Sequence, residues 1–281
     1  MDASGSPAVM RNGDGFVDFH SHLMPAVDDG AQTLAQSLAA LRAFQAQGAS
    51  ACITTPHFDA SLTKSPELFA ARMAEFDAAW AQLLEQVRHE PGLPVLHRGV
   101  EMMLDDPDPD LSDPRLRLAG GPFVLVEFPA MQLPPNAEWA VHNIRRQGFT
   151  PIIAHPERYR NHDARLATLT RCRAAGAHLQ LNAGSLLGQH GERAREIAKA
   201  LLTLGWADYL ASDHHARGLP ATERAVEALR ARGAGEQAVH LTVRNPARLL
   251  TGEAPLPVET LDAQEARTWW ARLLGRIKPS S

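Results

Sequence analysis

The order of apolar and helical segments constrains the fold of this chain more than any single motif does. Short apolar segments, typical of buried strands, alternate with stretches in which apolar residues recur at helical spacing. The predicted strands begin at Phe16, Ala51, Pro94, Phe123, Thr150, His178 and Asp208. The predicted helices cover about 34–47, 66–88, 135–147, a segment ending at Gly176, 191–204, 221–232 and 246–250. This alternation predicts an α/β fold with a parallel sheet, either a closed barrel or a doubly wound sheet.

Polar residues at the strand ends help to choose between these two architectures. No Gly-x-Gly-x-x-Gly or Walker-type loop follows any predicted strand, so a nucleotide-binding sheet has little support. Six strands are instead followed by an acid or a histidine, namely His20, His57, Glu101, Glu127, His155 and Asp213. In a βα barrel the carboxyl ends of the strands meet on one face, where such enzymes place their chemistry. The pattern therefore favours a barrel.

The histidine pair after the first strand suggests a metal site. Strand residues two apart point the same way, so His20 and His22 can present their imidazoles to one ion. The alternative is a pair of solvated histidines, because two ligands do not close a coordination sphere. Buried acids and imidazoles cost free energy unless they are paired or bound to metal, and six strand ends carry one. We therefore expect a metal centre.

The number and type of candidate ligands indicate more than one ion. Adding His22, Asp29 and His215 to the six strand-end residues gives nine candidate ligands, more than a single ion binds. We expect two or three divalent ions that share a carboxylate. All donors are nitrogen or oxygen, which suits manganese, iron or zinc.

Composition excludes several classes of protein. Lys and Arg total 28 against 32 for Asp and Glu, a formal charge of -4, so we expect no nucleic-acid partner. No apolar run is long enough for membrane insertion. Cys52 and Cys172 are far apart in sequence and form no Cys-x-x-Cys pair, which favours reduced thiols and a cytoplasmic location.

The two ends of the chain differ in character from its centre. We expect a flexible leader at residues 1–14, one domain at residues 15–252 and a tail at residues 253–281 with a short amphipathic helix. Trp269 and Trp270 in that tail are expected to pack against the body or against a second subunit, which leaves a homo-oligomer open.

The ordered motifs resemble the polymerase-and-histidinol-phosphatase (PHP) superfamily and, within it, the bacterial capsule and exopolysaccharide phosphatases of the CpsB/CapC/YwqE type. The resemblance covers about residues 16–250 and rests on His20-x-His22, Asp28-Asp29-Gly30, Thr55-Pro56-His57, Gly99-Val100-Glu101, Val126-Glu127-Phe128, His155-Pro156-Glu157-Arg158-Tyr159, Asn182-Ala183-Gly184-Ser185 and Ser212-Asp213-x-His215. It implies a single-domain, distorted (β/α)7 barrel of PHP type with a trinuclear metal centre.

The resemblance also implies how the ligands are shared. The first ion would be bound by His20, His22, Glu101 and Asp213. The second would be bound by Glu101, Glu127 and His155, and the third by Asp29, His57 and His215. The choice of Asp29 over Asp28 comes from the spacing in the family, and Asp28 is expected to orient its neighbours. Manganese is the first candidate metal, with iron or zinc as alternatives.

Two arginines are expected to contact the phosphate. Arg158 matches a family arginine, with an ion pair to Glu157 as the structural alternative. Arg217 is the candidate for the second arginine, although the segment from Ala216 to Pro220 is shorter than in relatives. Thiol catalysis is disfavoured, because a Cys-based phosphatase loop needs Arg six positions after Cys, whereas Phe58 and His178 stand there.

The resemblance implies a metal-dependent protein-tyrosine phosphatase that uses a metal-activated water. Its substrate would be a phosphotyrosine protein, a cytoplasmic tyrosine kinase of capsule or exopolysaccharide biosynthesis. One alternative is a small-molecule phosphoesterase of the histidinol-phosphate type, and another is a PHP-type nuclease, which the acidic balance of the chain disfavours. A non-catalytic scaffold is a further alternative, but all nine ligand positions are occupied.

Overall fold

A computed structural model describes residues 15–162 and 166–260 of the chain. The expected leader at residues 1–14 and the expected tail helix with Trp269 and Trp270 lie outside the described residues. Residues 254–259 run along the body, where the side-chain amide of Asn245 bonds the backbone of Leu256 and that of Gln237 donates to the carbonyl of Glu259. None of the helices in the described ranges is long and apolar enough to cross a membrane.

Strands and helices alternate along the described chain, as predicted. The strands are β1 (Phe16–Ser21), β2 (Ala49–Thr54), β3 (His57–Asp59), β4 (Val95–Arg98), β5 (Glu101–Met103), β6 (Phe123–Glu127), β7 (Thr150–Ala154), β8 (His178–Asn182) and β9 (Tyr209–Ala211). The α-helices are α1 (Leu34–Ala46), α2 (Pro66–Arg88), α3 (Glu138–Arg146), α4 (Ala167–Ala174), α5 (Ala183–Leu186), α6 (Glu192–Thr203), α7 (Thr222–Arg230), α8 (Gly235–Val239) and α9 (Asn245–Leu250).

All ladders between the described strands are parallel, and they form two sheets. One sheet has the order β1-β2-β4, and the other has the order β3-β5-β6-β7-β8-β9. Because β3 continues β2 and β5 continues β4, the two sheets follow each other around the molecule. Past the end of β9, a bridge pairs Ser21 with His214, and the amide of Asp213 donates to the carbonyl of His20 over 2.8 Å. The predicted single α/β domain of parallel strands is confirmed, with one bridge between its first and last strands in place of a ladder.

Two predicted strands are each followed, after a break, by a second short strand that the sequence did not indicate. Between β2 and β3 stands Pro56, which has no backbone N–H to donate to a ladder. Between β4 and β5 stand Gly99 and Val100, and a Cβ on Gly99 would lie 3.1 Å from the Cα of Leu118. As a result Glu101, expected at the end of a strand, is the first residue of β5, and His57 is the first residue of β3.

Alternate strand residues face two different cores. In β6, Phe123 and Leu125 join a cluster between the strands, whereas Val124 and Val126 pack in the cluster that contains the helices. This period of two matches the geometry of a strand with both faces buried. Glu127 follows Leu125 by two positions and so lies on the inner side, where it reaches the functional site.

The first residues of three helices show how far local sequence signals determine where a helix begins. Thr33 caps α1 as its position predicts, since its side chain accepts a hydrogen bond from the amide of Gln36. Ser65 also precedes its helix, but it makes no capping bond, and Pro66 at the first helical position begins α2. Helix α3 begins at Glu138, later than the predicted 135, after a turn that contains Pro134 and Pro135.

Candidate metal centre

All nine candidate ligands meet at one end of the described strands. His20 and His22 are fully buried beneath a cavity of about 470 Å³. The other seven line this cavity, namely Asp29, His57, Glu101, Glu127, His155, Asp213 and His215. The convergence of strand ends that the sequence indicated therefore brings these side chains together.

The central group combines two imidazoles and two carboxylates. The Nε2 atom of His20 lies 3.2 Å from Oε2 of Glu101 and 3.3 Å from Oδ1 of Asp213. The Nε2 atom of His22 lies 3.4 Å from the same two oxygens. All four atoms are buried and lack a hydrogen bond that meets ordinary geometry. Burying polar atoms without partners costs free energy. A divalent cation bound between the two nitrogens and two oxygens would satisfy all four atoms, because they face one another within 4.8 Å.

The pKa values of the two histidines reflect the negative charge of the carboxylates around them. Burial alone lowers the pKa of His20, but the carboxylates of Glu101 and Asp213 outweigh burial and raise it to about 9. Burial lowers the pKa of His22, but the adjacent carboxylates of Asp213, Asp28 and Glu101 outweigh burial and raise this pKa well above its ordinary value. Burial raises the pKa of Glu101, yet the imidazoles of His20 and His155 hold it well below its usual range. Without metal, protonated imidazoles balance the acids that a cation would neutralise.

Each central histidine is oriented from behind by a second side chain. Nδ1 of His22 lies 2.7 Å from Oδ2 of Asp28, and Nδ1 of His20 lies 2.9 Å from Oε1 of Gln180. These contacts turn the Nε2 atoms toward the carboxylates, as outer partners of metal-bound histidines commonly do. Asp28 therefore lies behind His22, in a position from which it can orient this imidazole. Gln180 was missed by the sequence analysis, because it lies inside β8 and not at a strand end.

The loop that contains Asp28 is held close to His22. The Oδ1 atom of Asp28 accepts a hydrogen bond from the amide of Gly30 over 2.9 Å, and Oδ2 accepts one from the amide of His57 over 3.2 Å. A Cβ on Gly30 would lie 2.3 Å from the Cβ of His22. Only glycine fits at this position, which explains the Asp-Asp-Gly sequence in physical terms.

The outer ligands form two further groups that share His57. Its Nδ1 atom lies 3.2 Å from Oε2 of Glu101 and 3.2 Å from Oε1 of Glu127. On its other side, His57 groups with His22, Asp29 and His215, and Oδ1 of Asp29 lies 3.2 Å from Nε2 of His215. His57 therefore faces both groups, although the family pattern placed it in one.

His155 completes the wall of the site opposite His57. Its Nε2 atom lies 2.8 Å from Oε1 of Glu101 and 3.8 Å from Oε2 of Glu127, which brings together the three residues expected to share the second ion. His155 has a φ of 33° and Asp213 a φ of 53°, both left-handed values that are uncommon outside glycine. Two site residues thus hold backbone conformations of the kind found at functional sites.

Comparison with known proteins decides the family. Residues 16–251 match the model of the family described as "Capsular polysaccharide synthesis, CpsB/CapC". The chain belongs to the CpsB/CapC family. The tyrosine-protein phosphatase YwqE of Bacillus subtilis (strain 168) is 30% identical over 201 residues, which cover 71% of this chain and 77% of YwqE. The tyrosine-protein phosphatase CpsB of Streptococcus pneumoniae is 24% identical over 250 residues, which cover 83% of this chain and 98% of CpsB.

A solved structure supports the same assignment. It comes from crystal structures of YwqE from Bacillus subtilis and CpsB from Streptococcus pneumoniae, described as unique metal-dependent tyrosine phosphatases. The TM-score is 0.71 at 28% sequence identity, and the match covers 86% of this chain and 99% of the other. The fold of this CpsB/CapC family member is therefore similar to that of a solved relative over 86% of this chain.

Arginines border the candidate centre of this CpsB/CapC family member. Nη1 of Arg158 lies 2.6 Å from Oδ2 of Asp213, so the alternative of a pair with Glu157 is wrong. Glu157 is buried and accepts hydrogen bonds from the hydroxyl of Ser185 over 2.6 Å and the amide of Asn182 over 3.1 Å. Arg217 is exposed and donates to the carbonyl of Asp29 over 2.8 Å, at the edge of the site.

Two residues near the centre were not assigned from the sequence. The amide side chain of Asn182 donates to Oδ2 of Asp213 over 2.9 Å, on the same oxygen as Arg158. Its place at the end of β8, as the first residue of the Asn-Ala-Gly-Ser motif, was a signal that could have found it. Arg160 lines the cavity beside Arg158 and carries no such signal.

The remaining candidates lie apart from the centre. His214 belongs to none of the ligand groups among the described residues, and its ring packs edge-on against Phe44 at 5.6 Å. Both cysteines are buried and free. Burial raises the pKa of Cys52 well above its ordinary value and that of Cys172 to about 12, so neither thiol is poised to ionise.

Proposed function

We propose that this protein is a metal-dependent protein-tyrosine phosphatase of capsule or exopolysaccharide biosynthesis. The observation that carries the proposal is the group of four buried, unpartnered atoms on His20, His22, Glu101 and Asp213. Support for the reaction comes from the relatives, since YwqE and CpsB are named tyrosine-protein phosphatases. Support for metal dependence comes from the solved relative, which is described as metal-dependent.

The reaction requires a nucleophile at neutral pH and donors for the phosphate oxygens. When bound, divalent cations supply both, by acidifying a water and by neutralising negative charge on the phosphate. The chain supplies the binding frame. Arg158 lines the cavity and donates one N–H to Asp213, and the other N–H groups of a planar guanidinium are suited to two phosphate oxygens. We assign Arg217 a supporting role at the rim near Asp29.

We propose two or three divalent ions, with manganese as the first candidate and iron or zinc as alternatives. The first ion is assigned to His20, His22, Glu101 and Asp213, which form one of the geometric groups. The second is assigned to Glu101, Glu127 and His155, although the geometric group around these two acids contains His57 and His155 only adjoins it, 2.8 Å from Glu101. The third is assigned to Asp29, His57 and His215, which form a geometric group with His22. Sharing of Glu101 between ions is supported by its central place, since its oxygens face four imidazoles.

We propose residues 15–252 as the catalytic domain and a phosphotyrosine protein as the substrate. A bacterial tyrosine kinase of polysaccharide export, acting in the cytoplasm, is the partner that fits the family description. Small phosphoesters and nucleic acids remain the alternative substrates that the test must separate.

The test combines metal analysis with turnover. The full chain is purified, its metals are measured by elemental analysis, and phosphate release from a phosphotyrosine peptide is followed with and without Mn²⁺. His155→Ala removes a proposed ligand, and His89→Ala is the matched control on the exposed end of α2. We expect about two or three ions per chain and metal-dependent turnover that only His155→Ala abolishes.

Other outcomes contradict the proposal in distinct ways. Bound metal without turnover of the peptide would refute the tyrosine phosphatase and redirect assays to histidinol phosphate and to single-stranded DNA. Absence of bound metal after reconstitution with Mn²⁺, Fe²⁺ or Zn²⁺ would refute the metal centre itself.

A further inference from the structure

A second cavity adjoins the cavity over the metal centre. It has a volume of about 320 Å³, and it shares Met131, Arg158 and Arg160 with the first. Arg193, in the first turn of α6, lines the second cavity and not the first. Because three residues line both cavities, the cavities lie side by side, and one extended ligand can contact both.

The second cavity is positively charged in a chain of net charge -4. Arg158, Arg160 and Arg193 line it, and we call these three residues the arginine subsite. Within the described residues, neither Arg160 nor Arg193 has a carboxylate partner. The acid beside Arg193, Glu192, is engaged by Arg195 at 2.6 Å. Within residues 15–162 and 166–260, these two guanidinium groups therefore have no carboxylate to compete with an anion from solution.

The other polar groups of this cavity do not cancel that charge. Glu157 lines the cavity with only 1% of its surface exposed; its Oε1 accepts hydrogen bonds from Ser185 and Asn182, and its Oε2 is buried without a hydrogen-bond partner among the described residues. His190 contacts the hydroxyl of Ser185 over 2.9 Å. Burial and the nearby Arg158 lower the pKa of His190 to about 4, so it is neutral near pH 7. The exposed charge of the cavity is therefore that of its arginines.

We propose that the arginine subsite binds a second anionic group, a phosphate or a carboxylate, on the same polypeptide as the phosphotyrosine that reaches the metal centre. The proposal rests on the proposed phosphatase function. Arg158 links the two cavities, because its guanidinium has five N–H groups, of which Asp213 uses one. The preferred substrate is thus a peptide with two anions close together.

The spacing of an extended peptide defines the substrates to compare. Residues two apart point to the same side and are separated by about 7 Å. We therefore place the second anion two positions before or after the phosphotyrosine. The reacting phosphotyrosine is present in every peptide, and only the residue two positions away is varied. At that position phosphotyrosine is compared with tyrosine, and glutamate is compared with glutamine, because each neutral residue resembles its anion in shape.

The matched variants reverse one charge each. Arg193→Glu changes the subsite, and Arg224→Glu changes an exposed arginine in the first turn of α7. An acid in the first turn of a helix interacts favourably with the helix dipole, so both variants are expected to fold. The measured quantity is kcat/KM for the doubly anionic peptide divided by kcat/KM for its neutral match.

We expect a ratio of about fivefold to tenfold in the unchanged protein and in Arg224→Glu, and a ratio near one in Arg193→Glu. The ratio should also fall as salt rises from 0.05 to about 0.5 M, because exposed charges are screened. If the ratio exceeds one only when the second anion is a phosphate, the subsite is specific for phosphate. If it exceeds one for glutamate as well, the subsite accepts either anion. A ratio near one in the unchanged protein, or a ratio that Arg193→Glu leaves intact, would overturn the proposal.

Binding separates this proposal from the phosphatase function. The same peptides, labelled with fluorescein, are titrated with each protein, and fluorescence polarisation gives their dissociation constants. Absence of turnover on every phosphotyrosine peptide would refute the phosphatase function. The proposed subsite would still be supported if Arg193→Glu weakened binding of the doubly anionic peptide about fivefold relative to its neutral match. It would be refuted if the unchanged protein bound the doubly anionic peptide and its neutral match with equal affinity.

Discussion

Replacing Asp28 by alanine tests whether the orientation of His22 matters for metal binding. The substitution removes the acceptor 2.7 Å from Nδ1 of His22 and the acceptors for the amides of Gly30 and His57. Without that acceptor the imidazole of His22 is free to change tautomer and rotate, so its Nε2 is no longer held toward Glu101 and Asp213. Loss of such an outer partner typically weakens metal binding about 10-fold to 100-fold.

The structure also gives the expected loss of stability without metal. Burial raises the pKa of Asp28, but the hydrogen bond and charge of His22 outweigh burial and hold the pKa at about 2. A shift of that size from the ordinary value of 3.8 corresponds to roughly 2 kcal/mol, and the side chain is only 4% exposed. Because the pKa is lowered on folding, this stability is present above about pH 4 and is lost as pH falls toward 2.

The assay is calorimetric titration of the metal-free protein with Mn²⁺, with urea unfolding of the same samples. Asp108→Ala is the matched control, because Asp108 makes only a surface pair with Arg146 at 3.4 Å. We expect Asp28→Ala to weaken Mn²⁺ binding and to lower the free energy of unfolding by about 2 kcal/mol at pH 7, while the control changes neither. Binding within about twofold of the unchanged protein would refute the role assigned to Asp28.

Further predictions concern residues around the same centre. Gln180→Ala removes the acceptor for Nδ1 of His20 and should weaken Mn²⁺ binding about tenfold by calorimetry; unaltered binding would contradict this. Gly30→Ala places a Cβ 2.3 Å from that of His22 and should reduce metal content by elemental analysis, and a full complement of metal would show that the loop relaxes. Binding of metal displaces the proton of His20, whose pKa is about 9, so the apparent Mn²⁺ affinity should rise from pH 6.5 to 8.5; affinity that is flat over this range would refute that linkage.

Much of the fold follows from local signals that the sequence states directly. Pro66 begins α2 and Thr33 caps α1, since each acts on residues within one turn of itself. Period-two burial in β6 likewise depends on neighbours along one strand. The convergence of the nine candidate ligands was predictable for a related reason, because residues at the ends of parallel strands come together whatever the details of packing.

Contacts between distant segments were not predictable in this way. Gln180 meets His20 across 160 positions of sequence, and although it is polar between two leucines of β8, the sequence does not show which residue it contacts. Arg158 pairs with Asp213 and not with its neighbour Glu157, because Ser185 and Asn182 satisfy Glu157 from the interior. Such outcomes depend on which of several partners lies nearest after folding, and sequence order does not contain that distance.

The interrupted strands have a consequence for protein engineering. On a regular barrel, a designer would graft each metal-binding side chain onto the last residue of a strand. Here His57 and Glu101 open strand segments that continue to Asp59 and Met103, so both lie below the rim. A graft of the nine side chains onto uninterrupted strands would leave these two at the wrong height. The breaks at Pro56 and at Gly99–Val100 would have to be transplanted with the ligands.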